Sequence, residues 1–294
     1  MRITDNMRLQ TVLAAQDRIN RRLTDLAQKG STGYRVNAPS DDPTAYAGMV
    51  QKDGDIAHLQ SRKQVLSGAQ ADLENTENTL AQAGEVMAQA KALAVQYSSG
   101  DYNAEQRATA VNTEVASIRK ELIALGNAKG TRGYLFAGTA TSTVPFSTTG
   151  SFSGNDGIMN LEVASGVTTA ANISGAKAFT GFGGGRNIFQ DLDDLATALA
   201  TNNVAGIQAA IDNLDAGSRQ ITNAQTDAGL ALERIQTAGR VTDSAIGSIQ
   251  KARTTQVEGD MVQVYSDLSN AQTAYSRSLE ITKVILSLPS LASK

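Results

Sequence analysis

The chain has 294 residues, 41% of them apolar, a formal net charge of −3, no Cys, no Trp, one His and four Pro. That is enough apolar material for a substantial core, while the missing thiols and the single imidazole exclude disulfides and leave almost nothing to ligate zinc. No basic face marks a general nucleic-acid binder, no apolar run approaches the roughly 18 residues of a membrane span, and the opening MRITDNMRLQ lacks the apolar core of a cleaved secretory signal, so neither nucleic acid nor membrane insertion is expected.

Leu9, Val12, Gln16, Ile19, Leu23 and Leu26 follow alternating three- and four-residue steps and predict one half of a helical seam. Residues 1–35 carry seven basic and three acidic side chains, which reads equally well as a solvated helix face. Gly30, Gly33 and Pro39 interrupt this helix. Ser40-Asp41-Asp42-Pro43 pairs two carboxylates, but an Asp N-cap before a Pro at the first helical position explains them without acid-base chemistry. His58 stands alone and predicts a packing or surface role.

Leu59, Leu66, Leu73, Leu80, Met87 and Ala94 recur every seven residues, with Ala69, Thr76, Ala83 and Ala90 at the partner position. After a break at Ser98-Ser99-Gly100-Asp101, Val111, Val115, Ile118, Leu122 and Leu125 define a second helix. Residues 139–185 change character, being rich in Gly, Ser and Thr, poor in charge, and home to four of the six Phe. They predict a small folded β insertion rather than a linker. Gly181-Phe182-Gly183-Gly184-Gly185-Arg186 misses the phosphate-binding glycine frame and reads as a flexible re-entry loop.

Asp191–Ala200 predicts a short helix whose first turn holds Asp191, Asp193 and Asp194. A heptad from Ile207 through Ile211, Leu214, Ser218, Ile221, Gln225, Ala228, Leu232 and Ile235 predicts a helix over about 205–255, roughly 75 Å long. Gly217, Gly229, Gly239 and Gly247 inside it each cost about 1 kcal/mol against Ala, so it must be packed lengthwise, with the small residues permitting close approach. Val257, Met261, Val264, Leu268, Ala271 and Tyr275 form a C-terminal seam, out of heptad register with the long helix and separated from it by Glu258-Gly259-Asp260. The expected fold is mainly α: a long antiparallel coiled-coil helical bundle formed by both chain ends, with a small β-rich insertion domain in the middle. Three parts are expected: 1–33 plus 257–294 for terminal assembly, 34–138 plus 186–256 as the long-helix bundle, and 139–185 as the outer β domain. The terminal pair, lacking a complete partner inside one chain, is expected to be largely unordered alone and completed by neighbours.

Gly33-Tyr34-Arg35-Val36-Asn37-Ala38-Pro39-Ser40-Asp41-Asp42-Pro43-Thr44-Ala45 closely resembles the signature of the bacterial flagellin family, with Arg35, Asn37, Pro39, Asp41, Asp42 and Pro43 as its marked positions. Gly133-Tyr134-Leu135-Phe136-Ala137-Gly138, before Pro145-Phe146, is similar to the run by which hook-associated junction members of that family leave their helices, and Ala228–Ile235 fits the returning helix. The likeness spans nearly the whole chain. It implies an extracellular structural subunit, exported unfolded through the flagellar type III channel, that joins hook to filament. The implied partners are copies of itself, a neighbouring hook-associated protein, flagellin and an export chaperone, with no catalytic, metal or cofactor site. A filament flagellin remains a second reading, and a non-flagellar coiled-coil signalling or sugar-binding protein a third. Pro289 departs from the apolar helical close expected of the family.

Overall fold

A computed structural model describes residues 2–99, 101–164 and 166–287, and their side chains except at 2–6, 8, 9 and 285–287. Helices dominate: α1 (Arg2–Thr32), α2 (Pro43–Ser98), α3 (Ala104–Ala110), a π-helical turn (Val111–Val115), α4 (Ala116–Gly126), α5 (Gly175–Phe179), α6 (Ile188–Ala200), α7 (Val204–Val257) and α8 (Met261–Ser287). Two small antiparallel pairs join them, β1 (Lys129–Gly130) with β2 (Gly133–Tyr134) and β3 (Asn160–Ala164) with β4 (Val167–Ala170). In the second pair Asn160 faces Ala170 and Glu162 faces Thr168, with an irregularity before Ala164.

The chain forms two compact units, Met1–Leu59 with Ala245–Lys294, and Gln60–Ser244. These cut the chain differently from the three parts expected. The stretch 139–185 falls inside the second unit. Only 160–164 and 167–170 of that stretch are strand, and its Phe146 and Phe179 are buried in one core with Leu80, Leu122 and Leu192 from the helices. A segment of this length has too little apolar surface to form a core alone, so its aromatics are spent on the helices.

Within Gln60–Ser244, the α2 heptad faces inward throughout: Leu66, Leu73, Leu80, Met87 and Ala94 are buried, as are Ala69, Thr76, Ala83 and Ala90. Ile207, Leu214, Ile221, Ala228 and Ile235 of α7 are buried to the same degree. The helices run antiparallel, since Lys63 pairs with Asp243 at 2.6 Å and Lys91 with Asp215 at 2.5 Å. Such half-exposed ion pairs contribute at most about 1 kcal/mol each and fix alignment more than stability. Close approach explains one of the expected glycines. A Cβ at Gly217 would stand 3.1 Å from Met87 and 3.3 Å from Ile188, whereas nothing lies within 4 Å at Gly239 or Gly247.

Phe146 is the centre of the core, with its ring 5.2 Å from Phe152 and Phe189 and 5.4 Å from Phe179. Asn127 clamps its backbone by two 2.8 Å bonds, Nδ2 donating to Phe146 O and Oδ1 accepting from Phe146 N–H. A Cβ at Gly126 would lie 2.7 Å from the Phe146 ring, so the C-terminal end of α4 must be bare. Leu135, Phe136 and Ala137 of the second family motif are buried beside it, and Gly133 and Gly138 take φ of +120° and +72°, where a side chain is strained. Buried Asp72 accepts from Arg132 Nε at 2.6 Å and from Thr131 N–H and Oγ1 at 2.6 and 2.8 Å. Burial works to raise its carboxyl, but these donors outweigh it and hold it below the usual range. Arg107, almost fully buried, donates to Tyr97 O at 3.1 Å, to Ser99 O at 2.6 Å and to the Asn202 side chain, closing the end of α2 onto α3 and the α6–α7 turn.

Phe146→Ala removes a ring packed against three others and leaves a cavity that rigid helices cannot collapse. It is expected to destabilise the unit by about 3–5 kcal/mol, read as a lower urea midpoint in circular dichroism, with Val144→Ala, at an exposed site, near neutral.

Candidate functional site

The unit formed by residues 1–59 and 245–294 has two parts: a two-helix pair and a turn that holds it. α1 packs along α8. They are antiparallel, because a Cβ at Gly30, near the end of α1, would lie 3.9 Å from both Val264 and Tyr265 near the start of α8. On α1, Leu26 is buried and Val12, Gln16, Ile19 and Leu23 are half-buried, while the Leu9 side chain lies outside the described residues. On α8, Ala271 is buried and Met261, Val264, Leu268 and Tyr275 are half-buried. The described members of both runs on α1 and α8 are thus buried or half-buried.

The opposite surfaces are mostly polar but also carry large apolar side chains. Met7 (64%), Leu13 (51%), Val262 (81%), Tyr265 (58%), Ile281 (56%) and Val284 (59%) remain exposed. Leu26 and Ala271 are the buried apolar side chains among those described in the pair. Two helices with so little buried between them are marginal in water. The basic excess is partly absorbed along α1 itself, where Arg21 pairs with Asp17 and Lys29 with Asp25, which supports the solvated-face reading.

Val257 does not belong to the α8 seam. It is the last residue of α7 and is buried with Val36 and Ala45. Gly259 breaks the helix after it, and Asp260 starts α8 afresh, its Oδ1 accepting from Val262 N–H at 2.9 Å and Gln263 N–H at 3.3 Å. The family signature at 33–45 wraps this same point. Arg35 N–H donates to Val257 O at 2.7 Å, its guanidinium to Gln256 O at 3.0 Å, and Gly259 N–H to Gly33 O at 3.2 Å. Tyr34 bridges to Glu258 and lies 5.7 Å beneath the Arg253 guanidinium, which also pairs with Asp53 at 2.5 Å. Gln256 donates to Ala45 O at 3.2 Å and accepts from Lys52 at 2.6 Å, in space that a side chain at Gly48 would fill.

Asp41 and Asp42 are structural, as the capping reading expects. Asp41 Oδ2 accepts from the N–H groups of Asn37 and Ala38, both at 2.9 Å, and Asn37 Nδ2 donates to Tyr34 O at 2.9 Å. Asp42 caps α2, with Oδ1 taking Ala45 N–H at 2.9 Å and Oδ2 taking Arg35 at 3.0 Å, ahead of Pro43. The Asn37 and Ala38 amides hold the Asp41 carboxyl below its ordinary value, and the Ala45 amide and then Arg35 do the same for Asp42. Pro39 is exposed, and His58 is a surface residue. Arg186 in the Gly-rich loop is taken by Asp191 at 2.5 Å, and Asp193 by Arg119 at 2.8 Å. Among the described residues no cluster of three or more His, Cys, Asp or Glu could hold a metal ion, and no helix is long and apolar enough to cross a membrane. Gln256, Arg253 and Gly48 carried no sequence signal, because their partners lie some 200 residues away in the chain.

Because both carboxyls are depressed, their contribution to the turn is fully present above the ordinary carboxylate value near pH 4 and is lost as pH falls through their lower folded values. Hydrogen exchange at the Asn37, Ala38 and Ala45 amides is expected to be flat from pH 7 to 5, after correction for intrinsic rate, and to accelerate below about pH 4. Asp41→Ala should make Asn37 and Ala38 fast at every pH.

Comparison with known proteins follows the same lines. The model of the bacterial flagellin N-terminal helical region matches residues 3–141. The flagellar hook-associated protein 3 of Salmonella typhimurium is 27% identical over 271 residues, covering 84% of this chain and 85% of that one. A putative flagellar hook-associated protein from Vibrio parahaemolyticus shares the fold at a TM-score of 0.67 and 20% identity, over 74% of this chain and 100% of that chain. The flagellar junction protein FlgL from Legionella pneumophila does so at 0.56 and 15%, over 71% and 99%. Residues 3–141, which include the 33–45 turn, are thus similar to the bacterial flagellin N-terminal helical region, and most of the chain is similar to hook-associated protein 3.

Proposed function

We propose that this chain is a non-enzymatic structural subunit of the bacterial flagellum, forming the junction between hook and filament by self-assembly through its terminal helices. The observation that carries the reading is the α1–α8 pair, which keeps Met7, Leu13, Val262, Tyr265, Ile281 and Val284 in water. Large apolar side chains left exposed on both members of a helix pair are what neighbouring copies would cover. In this reading α1 and α8 complete a long antiparallel coiled coil only in the assembly, with Leu9, Val12, Gln16, Ile19, Leu23 and Leu26 against Met261, Val264, Leu268, Ala271 and Tyr275. Segments 1–33 and 257–294 then act as the assembly part. The partners are copies of the chain, a neighbouring hook-associated protein and flagellin, with an export chaperone before secretion through the flagellar type III channel. The Tyr134–Gly138 run and the likeness to hook-associated protein 3 favour the junction over a filament flagellin.

Removing residues 1–30 or 257–294 is expected to abolish assembly in sedimentation and electron microscopy while Gln60–Ser244 stays helical by circular dichroism. Truncated chains that still polymerise would refute the terminal-helix mechanism. Deleting the gene should leave hooks intact and shed flagellin unassembled into the medium. A strain that instead secretes no filament protein but still caps its hooks would point to the filament reading.

A further inference from the structure

Within the unit formed by residues 1–59 and 245–294, Glu258, Gly259 and Asp260 are all that separates α7 from α8. The direction in which α8 sets off is therefore decided by what holds the end of α7. Two grips act there, and they meet on Gln256. The 33–45 turn holds its backbone: the Arg35 guanidinium donates to Gln256 O at 3.0 Å, and Arg35 N–H donates to Val257 O, one residue on, at 2.7 Å. The start of α2 holds its side chain: Nε2 donates to Ala45 O at 3.2 Å, and Oε1 accepts from Lys52 Nζ at 2.6 Å.

The amide reaches α2 because the helix is bare where it lands. A Cβ at Gly48 would overlap Gln256 Nε2 and stand 3.1 Å from its Cδ and Oε1. Gly48 has an ordinary helical backbone, so its conformation does not call for glycine, and glycine weakens a helix interior. What the missing side chain provides is room for the amide. Gly54, six residues on in the same helix, has nothing within 4 Å of its Cβ. The grip is also neutral on the Gln256 side, unlike the neighbouring half-exposed Arg253–Asp53 pair, which salt screens.

We infer that Gln256, seated on Gly48, is the positioning residue of assembly: it fixes the direction of α8, and with it of the α1–α8 pair, before neighbours arrive. The inference rests on the reading of the chain as a subunit that assembles through that pair. The pair cannot set its own direction by packing, since Leu26 and Ala271 are its buried apolar side chains among those described, so direction comes from the polar grip at its base. A pair that samples several directions offers a neighbour the right one for only part of the time, and the apparent affinity falls by that fraction.

The full-length chain has no Cys, so Lys251→Cys and Gln272→Cys, at exposed positions of α7 and α8, place two spin labels in it. In that background Gly48→Ala and Gln256→Ala are each expected to broaden the 251–272 distance distribution measured by double electron–electron resonance. In the unlabelled chain each should raise the critical concentration for assembly about fivefold, as a competent fraction of about one in five requires. Gly54→Ala makes the same change of helix propensity in open space and should do neither. Combining Gly48→Ala with Gln256→Ala should be no worse than Gln256→Ala alone, because the shortened side chain at 256 no longer needs the slot. Alanine is the better helix former, so Gly48→Ala should melt no lower than wild type while assembling worse, a split that a merely structural role does not produce. The positioning role is overturned, and the terminal-helix reading left standing, if Gly48→Ala assembles at the wild-type concentration, keeps the wild-type distance distribution, or loses assembly only together with melting temperature. An unmodified chain that never assembles overturns that reading, and this role with it.

Discussion

Everything in this chain depends on where an apolar helical stripe finds its cover. The α2 heptad from Leu66 to Ala94 supplies a stripe that no single helix can bury. In Gln60–Ser244 the problem is solved internally: α7 brings Ile207, Leu214, Ile221 and Ile235, and α4, α6 and the Phe146 cluster fill what remains. The α1–α8 pair faces the same problem with fewer resources. Among the described residues of the pair, Leu26 and Ala271 are the buried apolar side chains. The same pattern thus gives a self-sufficient core in one unit and an unfinished one in the other, and the unfinished one carries the proposed assembly.

An unfinished pair still needs its two strands of chain delivered together, and they come from opposite ends of the sequence. The turn at 33–45 meets this need. It gathers the start of α2, the end of α7 and the start of α8 around buried Val36, Ala45 and Val257, and does so mainly with backbone hydrogen bonds, whose geometry is stricter than apolar contact. The charged residues serve the backbone too. Asp41 and Asp42 satisfy amides, and Arg35 reaches Gln256 O. The dense run of Asp, Asn, Arg and Pro, residue types that elsewhere suggest catalysis, here encodes the path of a chain that must stop one helix and begin another within a dozen residues.

Much of this was legible because helices write their packing into local periodicity. The seven-residue steps located α2, α7 and their inward faces almost residue by residue, and Asp42-Pro43 marked a helix start. What periodicity could not convey was partnership across the chain. Residues 139–185 read as an independent β domain because their composition is unlike the helices, yet Phe146 and Phe179 are core residues of the helices themselves. Val257 read as the first step of the α8 seam because its spacing fits. Gly259 two residues later changes the helix axis, and the side chain turns to Val36 instead. Glycine was ambiguous for the same reason: Gly217 admits Met87 and Ile188, while Gly239 and Gly247 face open space, and a sequence of small residues cannot tell which.

Those open glycines fit the proposed assembly in a further respect. A subunit built into a fibre needs its strength in the array, where many weak contacts share one arrangement, rather than in the free monomer. Helix-weakening glycines in α7 and ion pairs that align more than they stabilise are poor economy for an isolated protein. In an array each becomes a site where a neighbour supplies the missing surface, because contacts too small to associate in solution become effective once the terminal helices have fixed the distance between copies.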